Sequence, residues 1–123
     1  MRVLIIDDSR SVRLIVGGYL RDEGMQTVEA ADGQAGLEQL RHNPDVRLVL
    51  VDWNMPVMDG LSFIKAVRAE PAYRSLKIIM ATSESEQSQV IRALDAGANE
   101  YLMKPFTKDV LIAKLHLLDV FEE

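Results

Sequence analysis

Residues 48–60 read LVLVDWNMPVMDG. Leu48 to Val51 are four consecutive apolar residues with no polar alternation, so a strand here is covered on both faces, as in a parallel sheet between helix layers. The run ends on Asp52 and passes at once into a turn rich in Asn, Pro, Asp and Gly. Val3-Leu4-Ile5-Ile6 has the same character and runs into Asp7-Asp8. A carboxylate delivered where a buried strand meets solvent is placed for chemistry, because charged groups are seldom buried unless paired.

Working outward, apolar runs at 77–81, and weaker ones at 26–30 and 100–103, bring the strands to five, with 3–6 and 48–51. Helical spacing fills the intervals: Val12, Val16, Tyr19 and Leu20; Leu37 and Leu40; Phe63, Ile64 and Val67; Val90, Ile91 and Leu94; and a closing helix over 108–121. Asp32-Gly33 and Thr107 read as helix starts and Ser83-x-x-Glu86 as a capping box, while Gly24, Gly97, Asn43-Pro44 and Glu70-Pro71 mark ends. The chain therefore reads as α/β, a (βα)5 unit forming one domain over 1–123. Right-handed crossovers leave few topologies for it, and the commonest is the flavodoxin-like order 2-1-3-4-5 between two helix layers. Ligands in such sheets bind beyond the strand C-termini at the switch point, here between strands one and three.

Composition narrows the chemistry. Cysteine is absent from the 123 residues, so neither a disulfide nor a thiolate metal site contributes. The N-terminal apolar run is too short for a secretory signal or a membrane span, and a cytoplasmic protein without membrane contact is expected. A net charge of −5, with no Lys/Arg cluster, argues against nucleic-acid binding.

Strands one and three bring Asp7, Asp8 and Asp52 to one end of the sheet, and something cationic must join them. Hard carboxylate oxygens suit Mg2+, which takes one or two protein carboxylates and keeps several waters. Strand four ends near Thr82 and strand five at Lys104-Pro105-Phe106, adding a hydroxyl and an ammonium to the same edge. Taken singly, Asp8 reads as a turn residue, Thr82 as a helix cap, Lys104 as a solvated lysine and Tyr101 as a half-buried strand aromatic; their coincidence favours a site. With a phosphoryl group on Asp52, its oxygens could be covered by Mg2+, Lys104 and Thr82, dispersing charge as phosphoryl transfer requires.

The motifs DWNMPxMDG, the early Asp-Asp pair, the Thr after strand four and YLMKPF together resemble a response-regulator receiver domain of the stand-alone chemotaxis type, across essentially the whole chain. The resemblance implies that Asp52 accepts a phosphoryl group from a sensor histidine kinase. It implies Mg2+ held by Asp8, Asp52 and the carbonyl of Asn54, with Asp7 holding its waters, and Lys104, before a cis Pro105, pairing with the phosphoryl group. It also implies a switch pair, Thr82 and Tyr101, that alters the surface of helix four, strand five and helix five. Asn54 and Glu84 resemble the positions that tune dephosphorylation in fast-hydrolysing members, so a short-lived aspartyl phosphate is expected. Such a protein is a signalling switch, not a turnover enzyme, and its downstream target would be a flagellar motor switch or a phosphotransfer protein.

Helix five carries two apolar stripes. Leu111, Leu115 and Leu118 suit the core; Val110, Ala113, Leu117, Val120 and Phe121 lie nearly opposite and read as either packing or a docking face for a partner or a weak dimer, the alternative being a monomer. His42 and His116 lie away from the strand ends and read as solvated helix residues. Competing readings are a phosphorelay intermediate, an aspartyl-nucleophile phosphatase, which typically places a second acid where this chain has Asn54, and a flavin module, which would need a phosphate loop where this chain has Asp7-Asp8-Ser9-Arg10.

Overall fold

The computed structural model describes residues 1–119, with only the backbone described at Glu84. Five parallel strands lie in the order β2-β1-β3-β4-β5, the order expected from the sequence. The strands are β1 (Arg2–Ile6), β2 (Gln26–Ala30), β3 (Val46–Asp52), β4 (Lys77–Thr82) and β5 (Glu100–Met103). The helices are α1 (Arg10–Asp22), α2 (Gly33–His42), α3 (Gly60–Arg68), α4 (Val90–Ala96) and α5 (Lys108–Leu117).

Consecutive apolar residues in the central strands feed two cores. Val49, Val51, Ile78 and Met80 pack with Phe63, Ile64 and Val67 of α3 on one face. Leu48, Leu50, Ile79 and Leu102 pack with Val16 and Leu20 of α1 and Leu111 and Leu115 of α5 on the other. Phe63, Leu20, Leu111 and Leu115 are fully enclosed, and such burial contributes about 1.5–3 kcal/mol for each large side chain.

Caps fix where the helices begin. Ser9, Asp32, Asp59 and Thr107 each accept a hydrogen bond from a backbone N–H of the first turn. Two of these, Asp32 and Thr107, were legible as caps from sequence. Helix four begins differently from expectation: Ser83 and Glu86 form their capping box, but over a 3-10 segment, Glu84–Gln89, that precedes α4. Helix five also departs from the expected 108–121. It ends at Leu117, where the backbone turns through Leu118 to Asp119 at φ 57. Val120 and Phe121 lie outside the described residues.

Candidate functional site

Register places the site. Ile6 pairs with Val51, so Asp7 and Asp52 fall side by side one step further along; Asp52 pairs with Ala81 and Thr82 with Met103, so Lys104 follows directly. Asp7, Asp52 and Lys104 continue the alternation of Ile5, Leu50 and Leu102, the row beneath α1 and α5. Thr82 and Tyr101 fall on the opposite alternation, with Ile78 and Met80.

The required cation is Lys104. Its Nζ donates to Asp7 Oδ2 at 2.8 Å and to Asp52 Oδ1 at 3.0 Å. Its peptide to Pro105 is cis. Asp52 is less exposed than its place at a strand end suggested: 7 % of its surface is accessible and 4 % of that of Asp7, while Asp8 faces solvent.

Burial pushes the Asp52 carboxyl up to about 6; the hydrogen bond and charge of Lys104 oppose this, and Asp7 and Asp8 reinforce it. Burial pulls the Lys104 ammonium down, but the hydrogen bonds and charges of Asp7 and Asp52 more than offset it, and the net shift is upward. One ammonium thus pairs with two of the three carboxylates, which leaves the cluster short of positive charge.

One carboxylate oxygen from each of Asp7, Asp8 and Asp52 lies within 4.8 Å of the others. In the octahedron of Mg2+ adjacent ligands stand about 3.0 Å apart and opposite ones about 4.2 Å, so the set suits this ion with a water standing in for one of the oxygens. Asp7 is already fixed for the task. Its Oδ1 accepts from Ser9 N–H at 2.9 Å, and its carbonyl accepts from Arg13 Nη1 at 2.6 Å.

Asn54 is exposed in the loop after β3. Gly60 opens α3 against that loop: a Cβ here would run into the carbonyl of Asp52, so Asp52 and the helix can approach only because Gly60 has no side chain. Thr82 is the last residue of β4 and wholly buried, and the cap is Ser83, not Thr82. Its hydroxyl lies 4.0 Å from the Met103 sulfur, a weak acceptor. Tyr101 is half-buried on the edge strand, diagonal to Thr82.

On α5, Leu111 and Leu115 are fully buried, whereas Val110, Ala113 and Leu117 face solvent. The second stripe therefore does not pack internally among the described residues. His42 is exposed and its Nδ1 meets the Glu38 carbonyl at 2.8 Å. The Glu84 side chain, like Val120 and Phe121, lies outside what is described.

Sequence reasoning missed Arg13, whose guanidinium also pairs with Glu29 at 2.9 Å and ties the β1–α1 loop to β2. Nothing distinguishes it in sequence from Arg10 or Arg21 of the same helix. Met103 was missed too; its relevance follows only from its register opposite Thr82.

Fold and site together define a five-stranded parallel α/β domain with an acidic, lysine-bridged edge able to hold a divalent cation. Residues 3–116 match the response regulator receiver domain, and the chain belongs to that family. Its relatives include a chemotaxis protein CheY homolog of Campylobacter jejuni, 45 % identical over 116 residues (94 % of this chain, 89 % of the relative), and chemotaxis protein CheY1 of Helicobacter pylori strain J99, 42 % identical over 119 residues (96 % of each). Among solved structures, chemotaxis response regulator CheY4 of Vibrio cholerae superposes with a TM-score of 0.87 at 35 % identity, covering 95 % of this chain and 97 % of that one. No helix among the described residues is long and apolar enough to cross a membrane.

Proposed function

We propose that Asp52 accepts a phosphoryl group from the phosphohistidine of a sensor histidine kinase and that the resulting charge is read by a partner protein in chemotaxis. The observation that carries this reading is the Lys104 ammonium bridging Asp7 and Asp52 beside a third carboxylate. In the transfer, an Asp52 oxygen forms a bond to phosphorus as the phosphorus–nitrogen bond breaks, and the donor imidazole leaves with the electron pair. Lys104 turns from the carboxylate to a phosphoryl oxygen, and the Thr82 hydroxyl gives up its weak sulfur contact for another. Asp7, Asp8, Asp52 and the Asn54 carbonyl would hold Mg2+, which when bound neutralises charge on the transferring group. An apolar groove of about 450 Å3 opens beside Lys104 between Val12, Ile15 and Tyr19 of α1 and Phe106.

Phosphorylation adds about −1.5 to −2 charges at one point. Thr82 would move toward it, Tyr101 would turn into the space vacated, and the α4, β5 and α5 surface would change, including exposed Ile91, Val110 and Leu117. The partner is a flagellar motor switch or a phosphotransfer protein. Incubation with acetyl phosphate and Mg2+ tests the reading: a mass increase of about 80 Da and a change in Trp53 fluorescence are expected, both lost in Asp52→Asn. An unmodified wild-type chain with unchanged fluorescence would overturn it.

A further inference from the structure

The edge of the sheet holds Tyr101 from two sides. Tyr101 points away from the core packed against α5, because its neighbour Leu102 occupies that side. Lys114, on α5, nevertheless reaches around the edge strand, and its Nζ lies 4.7 Å from the centre of the Tyr101 ring. The same ammonium pairs with Glu100 Oε1 at 3.0 Å, and that oxygen also accepts from Tyr101 N–H at 3.0 Å. Both charged side chains are only 23 % exposed. The pair is therefore partly shielded from water, yet exposed enough for added salt to weaken it.

From this geometry we infer that Glu100 and Lys114 are positioning residues of the switch, holding Tyr101 in the half-buried arrangement in which its ring lies under the ammonium and setting how much of the protein switches without a phosphoryl group. The inference rests on the switch reading above. The ring–cation contact exists only while the ring lies under the ammonium, so turning Tyr101 inward forfeits that attraction and leaves Lys114 to Glu100 alone. A contact made in one state and lost in the other biases the equilibrium by its own strength. For a partly exposed ring–cation contact that bias is roughly two- to fivefold in population. By linkage, the same factor weakens any ligand that favours the inward state. The clamp lies at the centre of the exposed α5 stripe, flanked by Val110, Ala113 and Leu117, so what loosens Tyr101 also frees the charge at that surface.

The test follows 3-fluorotyrosine by 19F NMR in the full chain, with the Tyr101 resonance assigned by its loss in Tyr101→Phe. In protein without phosphoryl donor, Lys114→Met is expected to raise the inward fraction roughly two- to fivefold, and Glu100→Gln to shift it the same way by less. Added salt should move the wild type in that direction and leave Lys114→Met unmoved, a response that simple loss of packing would not produce. Lys114→Arg, which keeps the cation, should preserve the wild-type equilibrium. Affinity for beryllofluoride with Mg2+ should tighten in Lys114→Met by the same factor. An unchanged Tyr101 equilibrium and salt response in Lys114→Met would overturn the clamp. A wild type whose Trp53 ignores beryllofluoride would instead overturn the phosphoryl reading, while the donor-free 19F equilibrium still decides on the clamp.

Discussion

Val57 carries a backbone cost that its side chain does not repay. It sits at φ 67, in the left-handed region, with 83 % of its surface exposed. For a β-branched residue that conformation costs about 1–2 kcal/mol, and little burial is lost on replacement. Val57→Asn, which tolerates the region, should raise stability by about 1 kcal/mol, measured by urea unfolding. Asp52 shows the same tension in charge. Its carboxyl titrates near 6 in the fold against an ordinary 3.8, so the folded state holds the proton more tightly. Stability from this group is therefore fully present below about pH 4 and is lost as the pH rises through 6. Asp52→Asn removes the charge; at pH 7.5 in EDTA it should unfold at higher urea than the wild type, by ~1–3 kcal/mol, and the gap should close at pH 4. Neither effect was legible in the sequence: a left-handed φ at Val57 leaves no mark in residue order, and Asp52 reads as more exposed than it is because groups distant in sequence, Lys104 among them, set its surroundings.

Among the elements, the helix starts were more legible than the helix ends. Asp32 and Thr107 stand directly before apolar periodicity, and a side chain that caps acts over three residues, a range that a linear pattern contains. Helix five stops at Leu117 although apolar residues continue to Phe121, since periodicity records which positions could face a core and not where the backbone turns. The segment before α4 is the element closest to the switch. Ser83 N–H donates to Glu86 Oε1 at 3.0 Å directly after buried Thr82. Glu86→Ala, which removes that bond, should cost about 1 kcal/mol in urea unfolding; because the loss falls beside Thr82, it should also alter the Trp53 response to beryllofluoride more than Thr107→Ala, a comparable cap loss far from β4.

At the scale of the molecule, fold and site stability are coupled through the metal. Three carboxylates gather where one lysine pairs with only two of them, so a divalent cation binding only the folded state stabilises it by mass action. Millimolar Mg2+ should raise the unfolding midpoint of the wild type at pH 7.5 and raise that of Asp52→Asn much less; an equal rise in both would argue against Asp52 as a ligand. Strand order, the layering of helices and the gathering of Asp7, Asp8, Asp52 and Lys104 at one edge were legible in the sequence, whereas the contact between these four and Thr82 expected there is not among those the structure makes: the Thr82 hydroxyl meets the Met103 sulfur. Uninterrupted apolar strands permit only a two-sided parallel sheet, and residues that follow such strands must gather at one edge. The tertiary structure alone decided that Lys104 bridges Asp7 and Asp52, that Arg13 anchors the loop bearing the acids, and that Lys114 reaches around the edge to Tyr101. Those contacts span 97, 52, 6 and 13 positions (104 − 7, 104 − 52, 13 − 7, 114 − 101). They depend on register and on the reach of long side chains, quantities that no local pattern of residues encodes.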